Sequence, residues 1–581
     1  MAVLRDTLAL DPLDWWARHL NGDVLKCDHQ ICLDVAHDYA RAGLFENAII
    51  ILASRTKESQ RDPSTQPRVA TNELPRGVSG SLHNPEWVAS IGGTTPSGLQ
   101  NPSSLTQGSR HNANPGLDAS VPLGLSDQNW GALPLVHYTL GWLEQKRGGS
   151  KAALKHFKRA ATLPADYCFP ARLEEIAILE AAMAVNPRDA KAPYYLGNLL
   201  YDRRRHVEAI RLWEKSARLD GNFSITWRNL GIGYFNILGN PAKSRAAYDR
   251  AVKVNPADGR LLYERDQLWK RLGEKPEKRL RELEKRLVLV QQRDDLSVEL
   301  CALYNQVGQH EKALALVSAR NFQPWEGGEG GPLGQWVRSH LALGRKVLGQ
   351  GGVRSPLRAG GRADKRGARG VTRPTLAIEH FQAALTAPLN LGEAKHLLAN
   401  QSDIHYWLGC ALAAAGEARK AKLHWLTAAT CKGDFQEMSV RAFSEMTYYS
   451  ALAWEKLAQP VRAKKLFHDL LAYARQLQKS EAKIDYFATS LPTMLLFDDD
   501  IQFRQETAAL FLQAQARLGL GSIAAAEKLV REVLLRDPNH AAANDLSREI
   551  TIILKESKMA ALATLTTRTL ALSERRKRNR C

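Results

Sequence analysis

One pattern restricts this chain more than any other, a helix-pair signature that returns about every 34 residues. Its fullest copy reads Trp227, Leu230, Gly231 and Tyr234, then Tyr248, Ala251 and Pro256. An earlier copy reads Leu196, Gly197, Ala209 and Trp213, and the two glycines stand 34 positions apart. Such spacing puts a small residue on each of two antiparallel helices where they cross, Gly231 on the first and Ala251 on the second. The rings of Trp227, Tyr234 and Tyr248 then fill the space between helices. Pro256 ends the second helix, because it lacks an N–H and disfavours a helical residue before it. One pair cannot bury its apolar face alone, so neighbouring pairs have to stack.

The same offsets recur in Leu140, Gly141, Ala153 and Phe157, and again in Leu408, Gly409, Ala421 and Trp425. Partial copies keep Tyr39, Gly43 and Ala48; Tyr304, Gly308 and Ala313; Ala451, Ala463 and Phe467; and Gly521, Ala526 and Pro538. Sustained alternation of β-branched residues is nearly absent. The reading is an all-α protein, an irregular α-solenoid of helix pairs with two disordered insertions. The irregularity is legible. Gly221 stands where a helix-ending proline is expected, and a 56-residue step from Gly141 to Gly197 predicts an extra helix over about Pro170–Val185.

These repeats resemble the tetratricopeptide repeat over about two thirds of the chain. Longer phrases carry a narrower resemblance: DPLDWWARHL (Asp11–Leu20), APYYLGNLLYDRRRHVEAI (Ala192–Ile210), RNFQPWEGGEG (Arg320–Gly330) and KIDYFATSLPTMLLF (Lys483–Phe497). They look like the C-terminal repeat region of bacterial proteins carrying the domain of unknown function 5107. That resemblance implies a β-rich, sandwich-like domain ahead of the repeats, similar to carbohydrate-processing folds, with this sequence starting at the junction.

Composition divides the chain further. Residues 1–55 read as N-terminal helices with a partial repeat, 132–347 as a first array and 375–558 as a second. Between them, 56–131 is a Gly-, Ser-, Pro- and Asn-rich insertion with too few apolar residues to form a core. Residues 348–374 form a Gly/Arg-rich linker, in which Gly351–Pro374 carries seven basic residues against one acidic. Residues 559–581 form a basic tail. These stretches hold much of the formal net charge of +19. Clustered arginines bind phosphate polyanions, but no aromatic residues are interleaved to stack on bases. Nucleic acid is therefore not the expected partner.

The first ten residues lack the core and cleavage site of a secretory signal, and no run approaches the roughly 20 apolar residues that span a bilayer. Seven dispersed cysteines, with no CxxC pair, suit a reducing cytoplasm; a Cys27–Cys32 disulfide is the alternative. No phosphate loop, HExxH helix, GxSxG elbow or kinase signature occurs, the sixteen histidines are scattered, and no metal or cofactor is expected. Asp498, Asp499 and Asp500 read as a helix cap. The loop holding Trp325, Glu326 and Glu329 reads either as a tight connection or as an aromatic-plus-carboxylate site for a sugar or a cation.

The leading functional expectation is a non-enzymatic scaffold that takes a peptide or partner domain in a concave groove. Its candidate lining is Asn198, Tyr201 and Asp202 on one helix and Arg228, Asn229 and Ile232 on the next. Asparagine amides suit this task because each offers two donors and an acceptor to an extended backbone. The alternatives are an accessory module of a carbohydrate-processing protein and incidental nucleic-acid binding through the Arg-rich linker and tail.

Overall fold

Two compact units make up the chain, Met1–Asn255 and Pro256–Cys581, a division that falls inside the 132–347 segment. The structure is a computed structural model and describes residues 2–23, 25, 27–58, 131–323, 330–350, 373–436, 439–483 and 496–555. Nearly all of the 56–131 insertion, most of the 348–374 linker and the whole 559–581 tail lie outside the described residues. So do Trp325, Glu326 and Glu329, and residues 484–492 of KIDYFATSLP.

The first unit opens with α1 (Ala2–Leu10) and α2 (Trp15–Leu20), followed by the pair α3 (His29–Arg41) and α4 (Phe45–Glu58). Then come α5 (Leu133–Lys146) with α6 (Ser150–Thr162), an unpaired α7 (Glu174–Val185), α8 (Lys191–Asp202) with α9 (His206–Leu219), and α10 (Ser224–Asn236) with α11 (Pro241–Val254). α7 is the extra helix required by the 56-residue step.

The second unit begins with α12 (Gly259–Arg271), α13 (Pro276–Glu284) and the short α14 (Leu287–Val290). Helix pairs resume with α15 (Asp294–Gln306) and α16 (His310–Ala319), α17 (Gly331–Gln350) and α18 (Arg373–Ala384), and α19 (Ser402–Ala414) and α20 (Ala418–Thr430). They continue with α21 (Met446–Lys456) and α22 (Pro460–Lys479), then α23 (Ile501–Gly519) and α24 (Ile523–Arg536), and a last helix α25 spans 541–555. Among the described residues the only strands form a hairpin, β1 (Asp434–Gln436) against β2 (Ser439–Arg441), with Phe435 opposite Val440. Strands of three residues are too short for an alternating pattern to reveal them.

The repeat works by close approach. A Cβ built on Gly231 would stand 2.4 Å from the Tyr248 ring, and one on Gly197 would stand 2.5 Å from Trp213. Gly141 meets Phe157 in the same way, and Gly409 meets Trp425. Each glycine thus lets a large ring of the second helix lie on the backbone of the first, and Phe157 and Tyr248 are wholly buried as a result. Leu140, Leu196, Leu230 and Leu408, and Ala153, Ala209, Ala251 and Ala421, are buried beside them. Trp227 is half-buried, and its Nε1 donates to the Gly221 carbonyl at 3.0 Å; Arg250 donates to the same oxygen. Gly221 therefore leaves its carbonyl as a shared acceptor. Aspartates cap several helices: Asp28 accepts from Ile31 N–H, Asp258 from Leu261 N–H and Asp500 from Phe503 N–H at 2.9 Å. Cys27 and Cys32 are buried and not joined as a disulfide, with their Sγ atoms 3.4 Å apart.

Candidate grooves on the two units

In the first unit the first helices of successive pairs, α8 and α10, carry an amide ladder. Asn198 Oδ1 accepts from Trp213 Nε1 at 3.0 Å and from Asn229 Nδ2 at 2.9 Å, so it ties three helices together. Arg228 reaches the Asn229 side-chain oxygen at 3.4 Å. Asn229 is buried, Asn198, Arg228 and Ile232 are half-buried, and Ile232 lies one turn beyond Arg228 on α10. Tyr194, one turn before Asn198, packs on Phe223 with ring centroids 4.9 Å apart, and burial pushes its phenol up to about 12.

Tyr201 meets this group through Trp213, and Asp202 stands at its edge. Tyr201 lies between α8 and α9, its ring 5.1 Å from Trp213 and 4.5 Å from His206. Asp202 is exposed at the end of α8, 3.6 Å from Arg203. Three positions from Asn198 keep Tyr201 on the same side of α8, so both side chains reach Trp213 of α9.

Sequence reading missed a charged cluster where α7 meets α3. Arg172 donates to Asp34 at 2.7 Å, and Arg41 holds Glu174 at 2.5 Å. Glu175 accepts from the backbone N–H groups of Ala171 and Arg172, and burial drives its carboxyl up to about 7. His37 is fully buried with neither ring nitrogen hydrogen-bonded, and desolvation lowers it to about 4. These contacts depend on α7, whose place in space no local pattern states.

In the second unit the corresponding face is occupied by the chain itself. Arg338 on α17 grips Asp545 of α25 with two nitrogens, at 3.1 and 3.2 Å, and also bonds Gln306 Oε1 at 2.9 Å. Arg345, two turns further along α17, holds Glu549 at 2.7 Å and lies over the Trp407 ring at 4.7 Å. Arg548 donates to the Gln306 carbonyl. The turn before α25 is seated as well: Asn539 accepts from Arg279 at 2.7 Å. Arg279 is buried and bonds both Asp266 and Glu299 at 2.5 Å. The two acids outweigh the desolvation of its guanidinium and raise its pKa.

Six of the scattered histidines turn out to be three pairs. Nδ1 faces Nδ1 at 3.1 Å in His137–His156, 3.0 Å in His340–His380 and 3.0 Å in His405–His424. His137, His340 and His405 each stand four residues before a contact glycine, Gly141, Gly344 and Gly409. The partners each precede the ring that packs on that glycine, Phe157, Phe381 or Trp425. Burial lowers the first member of each pair to about 4, aided by its partner. The equal 19-residue spacing of two pairs was a visible signal; the third is hidden by residues 351–372. Among the described residues no group of three His, Cys, Asp or Glu is placed to hold a metal ion, and no helix is long and apolar enough to cross a membrane.

Comparison with known proteins agrees with the helix-pair geometry. A family model described as tetratricopeptide repeat matches residues 176–222, from α7 through the α8–α9 pair. Over that stretch the chain is similar to a tetratricopeptide repeat. Among solved structures, YrrB, described as a TPR protein with an unusual peptide-binding site, is 15% identical. The match covers 36% of this chain and 90% of that one, with a TM-score of 0.26. TTC0263, a thermophilic TPR protein of Thermus thermophilus, is 21% identical over 36% of this chain and 98% of its own, with a TM-score of 0.21. An IFIT1 monomeric mutant with Gppp-AAAA is 15% identical over 70% of this chain and 90% of its own, with a TM-score of 0.25.

Proposed function

We propose that this chain is a non-enzymatic scaffold that holds a peptide or partner segment on the first-helix face of its first unit. Tetratricopeptide-repeat proteins generally mediate protein–protein interactions, and the repeat matched here includes α8. The observation that supports the reading is the Asn198–Asn229 bond. It fixes two side-chain amides of successive repeats in register, the arrangement that suits an extended backbone crossing both helices. Arg228 beside them supplies a positive charge for an acidic group on the ligand.

Selection of a random peptide display library on the immobilised full chain, repeated on N198A/N229A, tests this. Enrichment of peptides on the parent that is lost on the double variant supports the reading. Identical enrichment on both refutes it. The kinship with bacterial proteins carrying the domain of unknown function 5107 belongs to the same proposal and suggests a second bait: such a protein's β-rich domain, supplied in trans. Cytoplasmic location and the absence of catalysis are also part of this reading.

A further inference from the structure

α25 carries its chemistry on two faces. Leu546, Ile550 and Ile553 are buried together with Val530 and Val533 of α24, so the apolar face completes the last helix pair. Asp545 and Glu549 stand one turn apart on the other side and meet Arg338 and Arg345. A helix that only capped the array would need the first face alone, and its second would be left to water. Here the second face is read by two guanidiniums. One of them forks onto its carboxylate, the geometry in which arginine discriminates best.

The fit is incomplete. Gln306 Nε2 and Trp407 Nε1 are buried without an acceptor, and both residues belong to this surface: Gln306 bonds Arg338, and Trp407 lies under Arg345. Buried donors without acceptors are costly. An occupant offering two more acceptors would therefore satisfy this surface better than α25 does.

We propose that the face formed by Gln306, Arg338, Arg345 and Trp407 is a docking surface for a helix that presents carboxylates one turn apart, and that α25 occupies it in cis. A partner helix of that chemistry displaces α25 from these contacts, while α24 keeps its place in the array. This surface lies wholly in the second unit and does not draw on the amide ladder of the first. Because α25 is tethered, its local concentration is on the order of millimolar. Free peptide therefore meets a strong competitor in the parent chain, which release of the cis contacts removes.

The probe is a fluorescent synthetic peptide with the sequence of residues 541–555, titrated into full-length chains by anisotropy. D545N/E549Q is expected to bind it at least tenfold more tightly than the parent does. Adding R338Q/R345Q is expected to abolish binding, whereas adding R531Q, at an exposed pair with Glu527, leaves it unchanged. Equal binding by the parent and D545N/E549Q, no saturable binding by D545N/E549Q, or binding insensitive to R338Q/R345Q would each overturn the proposal. If D545N/E549Q does not fold, hydrogen exchange on the parent decides. Millimolar peptide should speed exchange in 541–555 but not in α24, and unchanged exchange there would refute displacement.

Discussion

The two units present the same kind of face, the first helices of successive pairs, and treat it differently. In the first unit it carries neutral amides bonded to one another, Asn198 to Asn229. In the second it carries Arg338 and Arg345, each bound to a carboxylate of α25. Neutral amides satisfy one another by a hydrogen bond and need no counter-charge. Arginines on a partly buried surface need counter-charges, and the chain supplies them from its own last helix. Repeat packing thus leaves the exposed side of each first helix free to vary, and that side is where the two units diverge.

The largest expected effect would break the second unit while sparing the first. Arg279→Ala leaves Asp266 and Glu299 buried without their shared cation. Losing one partner of such a group typically costs about 3–5 kcal/mol. Hydrogen exchange should show protection lost across α12–α15 and retained in α8–α11; uniform loss in both units would erase the contrast.

Next come matched glycine substitutions, which test whether the packing logic is common to both. Gly231→Ala in the first unit and Gly409→Ala in the second each drive a methyl group into a ring, Tyr248 or Trp425. Each should destabilise its own unit by about 1–3 kcal/mol, read as a fall in denaturant midpoint. A smaller side chain at position 248, Tyr248→Leu, should recover part of the loss in the first case.

Acid should have a smaller effect, and a mutation can confine it to one unit. His137, His340 and His405 titrate near 4 in the folded chain against an ordinary 6.5, chiefly because they are buried. The folded state then binds fewer protons than the unfolded one. Stability is full above 6.5 and declines as the pH falls toward 4, by about 1–3 kcal/mol for a buried pair. The second unit holds two such pairs and the first holds one. His37 of the first unit is lowered to about 4 as well, so protection should fall in both units between pH 7 and 5, and H405N/H424N should reduce the fall in the second alone. A pH-independent midpoint would count against the assignment.

The smallest change in stability is expected from N198A/N229A, about 1–2 kcal/mol, because the Trp213 Nε1 loses its acceptor. A melting temperature within a few degrees of the parent's would make that variant a clean probe of binding.

Much of the fold could be read from spacing. Gly141, Gly197, Gly231 and Gly409 each stand where two helices cross, against a ring of the same copy of the pattern, and the extra helix expected before Val185 is α7. Gly344 against Phe381 escaped notice because residues 351–372 stretch the interval between the two helices. Of the groove candidates, Asn198, Arg228 and Asn229 stand together, Tyr201 packs on the Trp213 that Asn198 bonds, and Asp202 is exposed at the end of α8. The arginine–carboxylate contacts were not legible. Arg338 and Asp545 are 207 positions apart, and neither belongs to the repeated positions that pattern reading follows.

The amino-acid order alone determined that helices would pair, where each pair would meet, and which small residues and rings would be gathered there. Those contacts join residues within a single unit of about 34, and their periodicity is imposed by the helix itself. Only the tertiary structure decided that three histidine pairs align with the contact glycines, and that α25 lays its carboxylates on Arg338 and Arg345. Such meetings depend on the summed rotation from one pair to the next. Small inserted steps change that sum, and no residue records it.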